Sequence, residues 1–141
     1  MKPLVVLDTG PLVAFLKDRD DFHQWARAAL QATEYPYTTC EPVITEALFL
    51  LSNTHGAQRT VLSLIQDGVI QINFRLSDNA DALNELMKQY ASVPMSLADA
   101  CLVRMAELSK NSAVMTLDSD FQIYRMNCSQ IIPVIMPAAD F

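Results

Sequence analysis

The chain has 141 residues, 51% of them hydrophobic and 18% charged, with a mean hydropathy of +0.17. This length supports a single domain over residues 1–141 that buries roughly two thirds of its unfolded surface, and the composition excludes a disordered tail, a coiled coil and a low-complexity segment. Sixteen acidic residues against ten basic ones give a formal charge of −6, which argues against capture of nucleic acid by a broad basic surface.

No apolar run reaches the roughly 18 residues that a membrane span needs. The amino end, Met1-Lys2-Pro3-Leu4-Val5-Val6-Leu7-Asp8, meets an acid too early for a signal peptide, so a soluble, cytoplasmic protein without membrane association is expected. Leu4 to Leu7 is a continuous, valine-rich run of the kind found in a strand buried on both faces of a parallel sheet. Asp8-Thr9-Gly10-Pro11 ends that run. A proline lacks only an N–H that would be unpaired in a first helical turn, so a helix is predicted from Pro11 to about Lys17. Asp20 or Asp21 can cap a second helix to about Ala32, with Phe22, Trp25, Ala26, Ala29 and Leu30 on one face.

A short strand is expected over Tyr35 to Thr39. Pro42 then opens a largely buried helix that ends near Asn53 to Gly56 and carries Glu46 inside it. A helix from Ala57 to about Asp67 leads through Gly68 into a β-branched strand, Val69 to Phe74, and Ser77 caps a helix to about Tyr90. After the break at Val93-Pro94-Met95, Ser96 starts a helix to about Ser109. A strand from Ala113 to Leu117, a helical turn from Ser119 to Met126 and a strand around Ile131 to Ile135 complete the chain. Strands alternating with helices of this length make βαβ units, hence an α/β fold whose mostly parallel sheet is covered on both faces. Ligands of such sheets bind at the carboxyl ends of the strands, and Asp8 and Asp118 each follow such an end.

Several chemistries lack their residues. Cys40, Cys101 and Cys128 stand in apolar surroundings without histidines at metal-ligand spacing and read as reduced packing residues. His23 and His55 lie in no catalytic motif. With only Gly10, Gly56 and Gly68, the chain can build neither a dinucleotide-binding turn nor a P-loop.

The acids remain. Glu46 lies three residues after Val43 and four before Leu50, which places it on an apolar stripe, where it either meets a cation at a cleft or sits at the helix edge near a favourable dipole. Ser96-Leu97-Ala98-Asp99 has the spacing of a capping box, yet Leu102 and Val103 put Asp99 on an apolar face where it can also bind metal. Asp118-Ser119-Asp120 reads as a polar capping turn, and Asp8 as turn chemistry beside Gly10-Pro11. Four independent caps and one acidic cluster both satisfy this pattern.

In order and spacing, Asp8-Thr9-Gly10-Pro11, Thr45-Glu46-Ala47, Leu97-Ala98-Asp99-Ala100 and Thr116-Leu117-Asp118-Ser119-Asp120-Phe121 resemble the PIN domain, the fold of metal-dependent ribonucleases that includes VapC-type toxins. The resemblance implies a three-layer α/β/α fold. It also implies an acidic cluster of Asp8, Glu46, Asp99 and Asp118 holding Mg²⁺ or Mn²⁺, with Asp120 a candidate fifth ligand and Thr116 or Thr9 orienting a carboxylate or a water. It further implies an RNA substrate, a homodimer and, for toxin members, an antitoxin covering the site. Carboxylates are fitting ligands for hard divalent ions that assist phosphodiester hydrolysis.

Two other readings stay open. One is a non-catalytic PIN-like RNA- or protein-binding module. The other is a small-molecule phosphohydrolase with Asp8 as nucleophile, although the chain lacks a second aspartate two positions later. For RNA contact, Lys17, Arg19, Arg104 and Arg125 are candidates against a default of surface charge, and Phe15, Phe121 and Tyr124 are stacking candidates against a default of core packing.

Overall fold

In the computed structural model, which describes residues 2–138, the run Leu4–Leu7 forms β1 at the centre of a five-stranded sheet. The chain continues through α1 (Thr9–Leu16), α2 (His23–Ala32), β2 (Tyr37–Thr38), α3 (Glu41–Leu50), α4 (Ala57–Gln66) and β3 (Ile70–Gln71). A 3-10 turn at Leu76–Asn79 leads into α5 (Ala80–Gln89), followed by α6 (Leu97–Leu108) and β4 (Ser112–Met115). A second 3-10 turn, Ser119–Gln122, precedes β5 (Arg125–Met126), β6 (Gln130–Ile131) and β7 (Val134–Ile135).

The sheet order is β3-β2-β1-β4-β7 and every neighbour is parallel, while β5 and β6 form a separate antiparallel pair. Side chains alternate across the sheet. Val6 and Val114 face a cluster with Leu86, Leu102, Val103, Phe121 and Tyr124, whereas Val5, Leu7 and Met115 face Leu12, Ile44, Leu51 and Val61. Both faces are thus covered, which is the α/β/α layering expected of continuous apolar strands. Thr39 donates from its hydroxyl to the Leu7 carbonyl at 2.6 Å and so extends the tie between the first two strands.

The order also fixes the ligand edge. From β1 the chain moves outward through β2 and β3, then returns to lay β4 on the other flank of β1. The carboxyl ends of β1 and β4 are therefore the switch point of the sheet, where a crevice opens.

Element boundaries differ from expectation for local reasons. α1 begins at Thr9 rather than Pro11, because the Asp8 carboxylate caps it by accepting from the Thr9 N–H. α2 begins at His23, since Asp20 spends its side chain on the Phe22 N–H and its carbonyl on the His23 N–H in a preceding turn. Ser77 falls inside a 3-10 turn and does not cap α5. The expected strand Val69–Phe74 pairs only at Ile70–Gln71, on the edge of the sheet.

The carboxyl-terminal region departs furthest. The turn from Ser119 ends at Gln122, and Arg125–Met126 pairs with Gln130–Ile131 around Asn127 and Cys128, both in the left-handed region (φ 50° and 70°). Pro133, which cannot donate to a ladder, separates β6 from β7 in place of one strand over Ile131–Ile135. Cys128 is exposed in this hairpin and packs in no core, while Cys40 and Cys101 are buried in one cluster as free thiols.

Candidate active site

Asp8 leaves β1 and starts α1, so its side chain is fixed from both sides. Its Oδ1 accepts from the Thr9 N–H and its Oδ2 from the Thr116 hydroxyl, both at 2.7 Å, and the residue is only 8% exposed. Thr116 follows β4 and is fully buried; its oxygen also accepts from the Asp118 N–H at 2.9 Å. One hydroxyl thereby ties the ends of the two central strands across 108 residues of sequence. We expect Thr116→Val to lower the stability of the fold by about 1–3 kcal/mol in urea unfolding, because it leaves Asp8 Oδ2 and the Asp118 N–H without partners, and Thr116→Ser to recover most of the loss.

Asp118 caps the second 3-10 turn, its Oδ1 accepting from the Asp120 N–H at 2.9 Å. Asp99 lies in the first turn of α6, where the capping box is complete: Ser96 Oγ accepts from the Asp99 N–H and Asp99 Oδ2 from the Ser96 N–H, each at 3.1 Å. Glu46 is exposed on α3, with Oε2 accepting from the Thr9 hydroxyl at 3.2 Å. It stands at the mouth of a cleft rather than on a buried apolar stripe, because α3 turns Val43, Ile44 and Ala47 inward and Thr45 and Glu46 outward.

These side chains meet. A cavity of about 330 Å³ at the switch point is lined by Asp8, Thr9, Gly10, Glu46, Leu50, Asp99, Leu117 and Asp118. Gly10 permits the close approach of α1 to the strand end, since a Cβ there would lie 3.2 Å from Leu117 Cβ. Asp120 does not line this cleft; its carbonyl accepts from the Ile123 and Tyr124 N–H groups. Among the described residues, no three acid, histidine or cysteine side chains are drawn together into a finished ion cage.

The electrostatics reflect the crowding. Burial pushes the Asp8 carboxyl up from 3.8 to about 6, and the charges of Asp99 and Asp118 add to the rise, against the hydrogen bonds from Thr116 and Thr9. Asp99 is also raised, first by burial and then by the charge of Asp118, against hydrogen bonds from Ser96 and Tyr124. Without a cation, ionisation of Asp8 and Asp99 is thus disfavoured.

Other candidates lie elsewhere. None of Lys17, Arg19, Arg104 and Arg125 lines the cleft. Arg104 is engaged by Asn79 and Glu107, and Arg125 donates to the carbonyls of Gln122, Ile123 and Tyr124. Phe121 and Tyr124 are fully buried and present no face for base stacking, and Phe15 is half-buried, lining a separate apolar pocket with Leu12 and Tyr35. Sequence reasoning did not find the hydroxyl of Tyr124 beside Asp99, a contact spanning 25 residues without any local signal.

Comparison with known proteins agrees with this fold. The chain superposes on the crystal structure of Mycobacterium tuberculosis VapC20, a sarcin–ricin loop cleaving toxin, with a TM-score of 0.75 and 17% sequence identity over 84% of this chain and 93% of that one. No curated protein matches it by sequence. The family model of the PIN domain matches residues 5–125, a span that holds all four acids of the cleft. The chain belongs to the PIN domain family.

Proposed function

We propose that this protein is a Mg²⁺- or Mn²⁺-dependent endoribonuclease that hydrolyses RNA phosphodiester bonds, acting in the cytoplasm as the toxin of a type II toxin–antitoxin pair. The observation that carries this reading is the convergence of Asp8, Glu46, Asp99 and Asp118, from four separate elements, on one cleft at the switch point of the sheet. The family and the fold shared with a sarcin–ricin loop cleaving toxin support it. A homodimer and a cognate antitoxin that covers the cleft belong to the same proposal.

The donor set fits the ion. The lining offers carboxylate and hydroxyl oxygens with no histidine or cysteine, the chemistry that suits Mg²⁺ or Mn²⁺ over zinc. When bound, such an ion supplies charge for the phosphoryl oxygens and acidifies water. Asp8 and Asp118, fixed at the two strand ends, would hold it together with Asp99. Glu46, exposed at the mouth and anchored through one oxygen, is placed to orient the attacking water and accept its proton. Asp120 shapes the turn instead of binding the ion. Each oxygen of Asp8 accepts one hydrogen bond inside the protein and keeps a second lone pair for the ion.

One observation favours the alternative of a non-catalytic module: Asp8, Asp99 and Asp118 each cap a helix or turn, so their positions have a structural cause without any ion. Incubation of the purified protein with ribosomal and total RNA separates the readings. The nuclease cuts at discrete sites with Mg²⁺ or Mn²⁺ and stops with EDTA, whereas a module leaves every RNA intact at high protein concentration in all conditions.

A further inference from the structure

We propose that Tyr124 is a positioning residue for Asp99, holding that carboxylate from the rear of the cleft in the orientation that receives the metal ion. The inference rests on the metal-site reading above and names a residue outside the acidic cluster. Asp99 Oδ2 faces two protein donors, the Ser96 N–H at 3.1 Å and the Tyr124 hydroxyl at 3.3 Å, while Oδ1 accepts from no protein group among the described residues. Asp99 lines the cleft, so the oxygen left over is the one available to a ligand.

The phenol cannot swing away. Its ring is fully buried between two aromatic neighbours that meet it edge-on, Tyr90 at 5.1 Å and 68° and Phe121 at 5.3 Å and 86°. Its single hydroxyl proton is shared between Asp99 Oδ2 and the nearer Pro94 carbonyl, which ties the loop before α6 to the same point. Its own N–H donates to the Asp120 carbonyl within the turn that Asp118 caps. A single short segment therefore presents Asp118 to the cleft at one end and braces Asp99 at the other, and sets the two carboxylates relative to each other. Partners that orient a metal ligand in this way are typically worth about 10- to 100-fold in metal affinity.

The test is calorimetric titration of Mn²⁺ into the wild type, Tyr124→Phe and Tyr90→Phe. Tyr124→Phe keeps the ring packing and deletes only the hydroxyl; Tyr90→Phe deletes a hydroxyl of the same cluster that accepts from the Arg125 N–H and does not touch Asp99. The expected result is an Mn²⁺ dissociation constant raised about tenfold in Tyr124→Phe and unchanged in Tyr90→Phe. Wild-type affinity in Tyr124→Phe, or an equal loss in both variants, overturns the positioning role while leaving the metal site standing. A wild-type protein that takes up no Mn²⁺ overturns the metal site itself and this role with it.

Discussion

Replacing Asp8 by asparagine is expected to lower the rate of RNA cleavage by about 10²- to 10³-fold or more while making the metal-free protein more stable at neutral pH. The two effects share one cause. Folding raises this carboxyl from 3.8 to about 6, so the folded protein holds the proton more tightly than the unfolded chain. Below pH 3.8 both states are protonated and the burial costs nothing through ionisation. Between 3.8 and about 6 the cost grows, and above 6 it is complete, at about 3 kcal/mol. Asparagine removes the charge and remains a good cap for α1. It gives part of the gain back, because an amide nitrogen placed at Oδ2 cannot accept from the Thr116 hydroxyl. A net gain of about 1–2 kcal/mol is therefore expected in urea unfolding with EDTA at pH 7.5, shrinking as the pH falls from about 6 and lost by pH 3.8. A variant that is inactive and also less stable at neutral pH would show that Asp8 serves the fold rather than the site.

Asp99→Asn separates the cap from the chemistry. Asparagine can still accept from the Ser96 N–H, and the bond from the Asp99 N–H to Ser96 Oγ is untouched, so the fold should lose no more than about 0.5 kcal/mol. Cleavage should fall by about 10²-fold, because an amide neither carries charge nor binds a hard cation well. Ser96→Ala makes the opposite change: it removes a side-chain cap worth about 1 kcal/mol and should leave cleavage within a few-fold of wild type. Parallel unfolding curves and single-turnover cleavage rates check both. If activity followed stability through the two variants, Asp99 would be a cap and nothing more.

Much of this arrangement is legible in the sequence because it is written in short local signals. β1 reads as buried because both faces of a central parallel strand must be apolar, and Asp8 reads as a site candidate because it ends that run. The capping box at Ser96 and Asp99 is a four-residue pattern whose geometry is local. Glu46 is harder. The apolar stretch around it includes Phe49 and Leu50, which the structure leaves exposed, so hydropathy alone overstates the burial of α3.

The remaining features depend on contacts that local patterns do not carry. The β5–β6 hairpin turns through Asn127 and Cys128 at positive φ, without the glycine that would have announced it. Thr116 binds a carboxylate 108 positions away, and Tyr124 reaches Pro94 and Asp99 across 30 and 25 positions. An aromatic residue three positions after Phe121 reads as core, which it is; its polar end becomes visible only when α6 is packed beside it.

The most direct measurement is a crystal structure of the protein soaked in Mn²⁺, with the ion placed by its anomalous signal. The account predicts a peak in the cleft coordinated by oxygens of Asp8, Asp99 and Asp118, with Glu46 beside it and Asp120 outside the coordination shell. A cleft that stays empty at saturating Mn²⁺, with the three aspartates still occupied only by their caps, would contradict it.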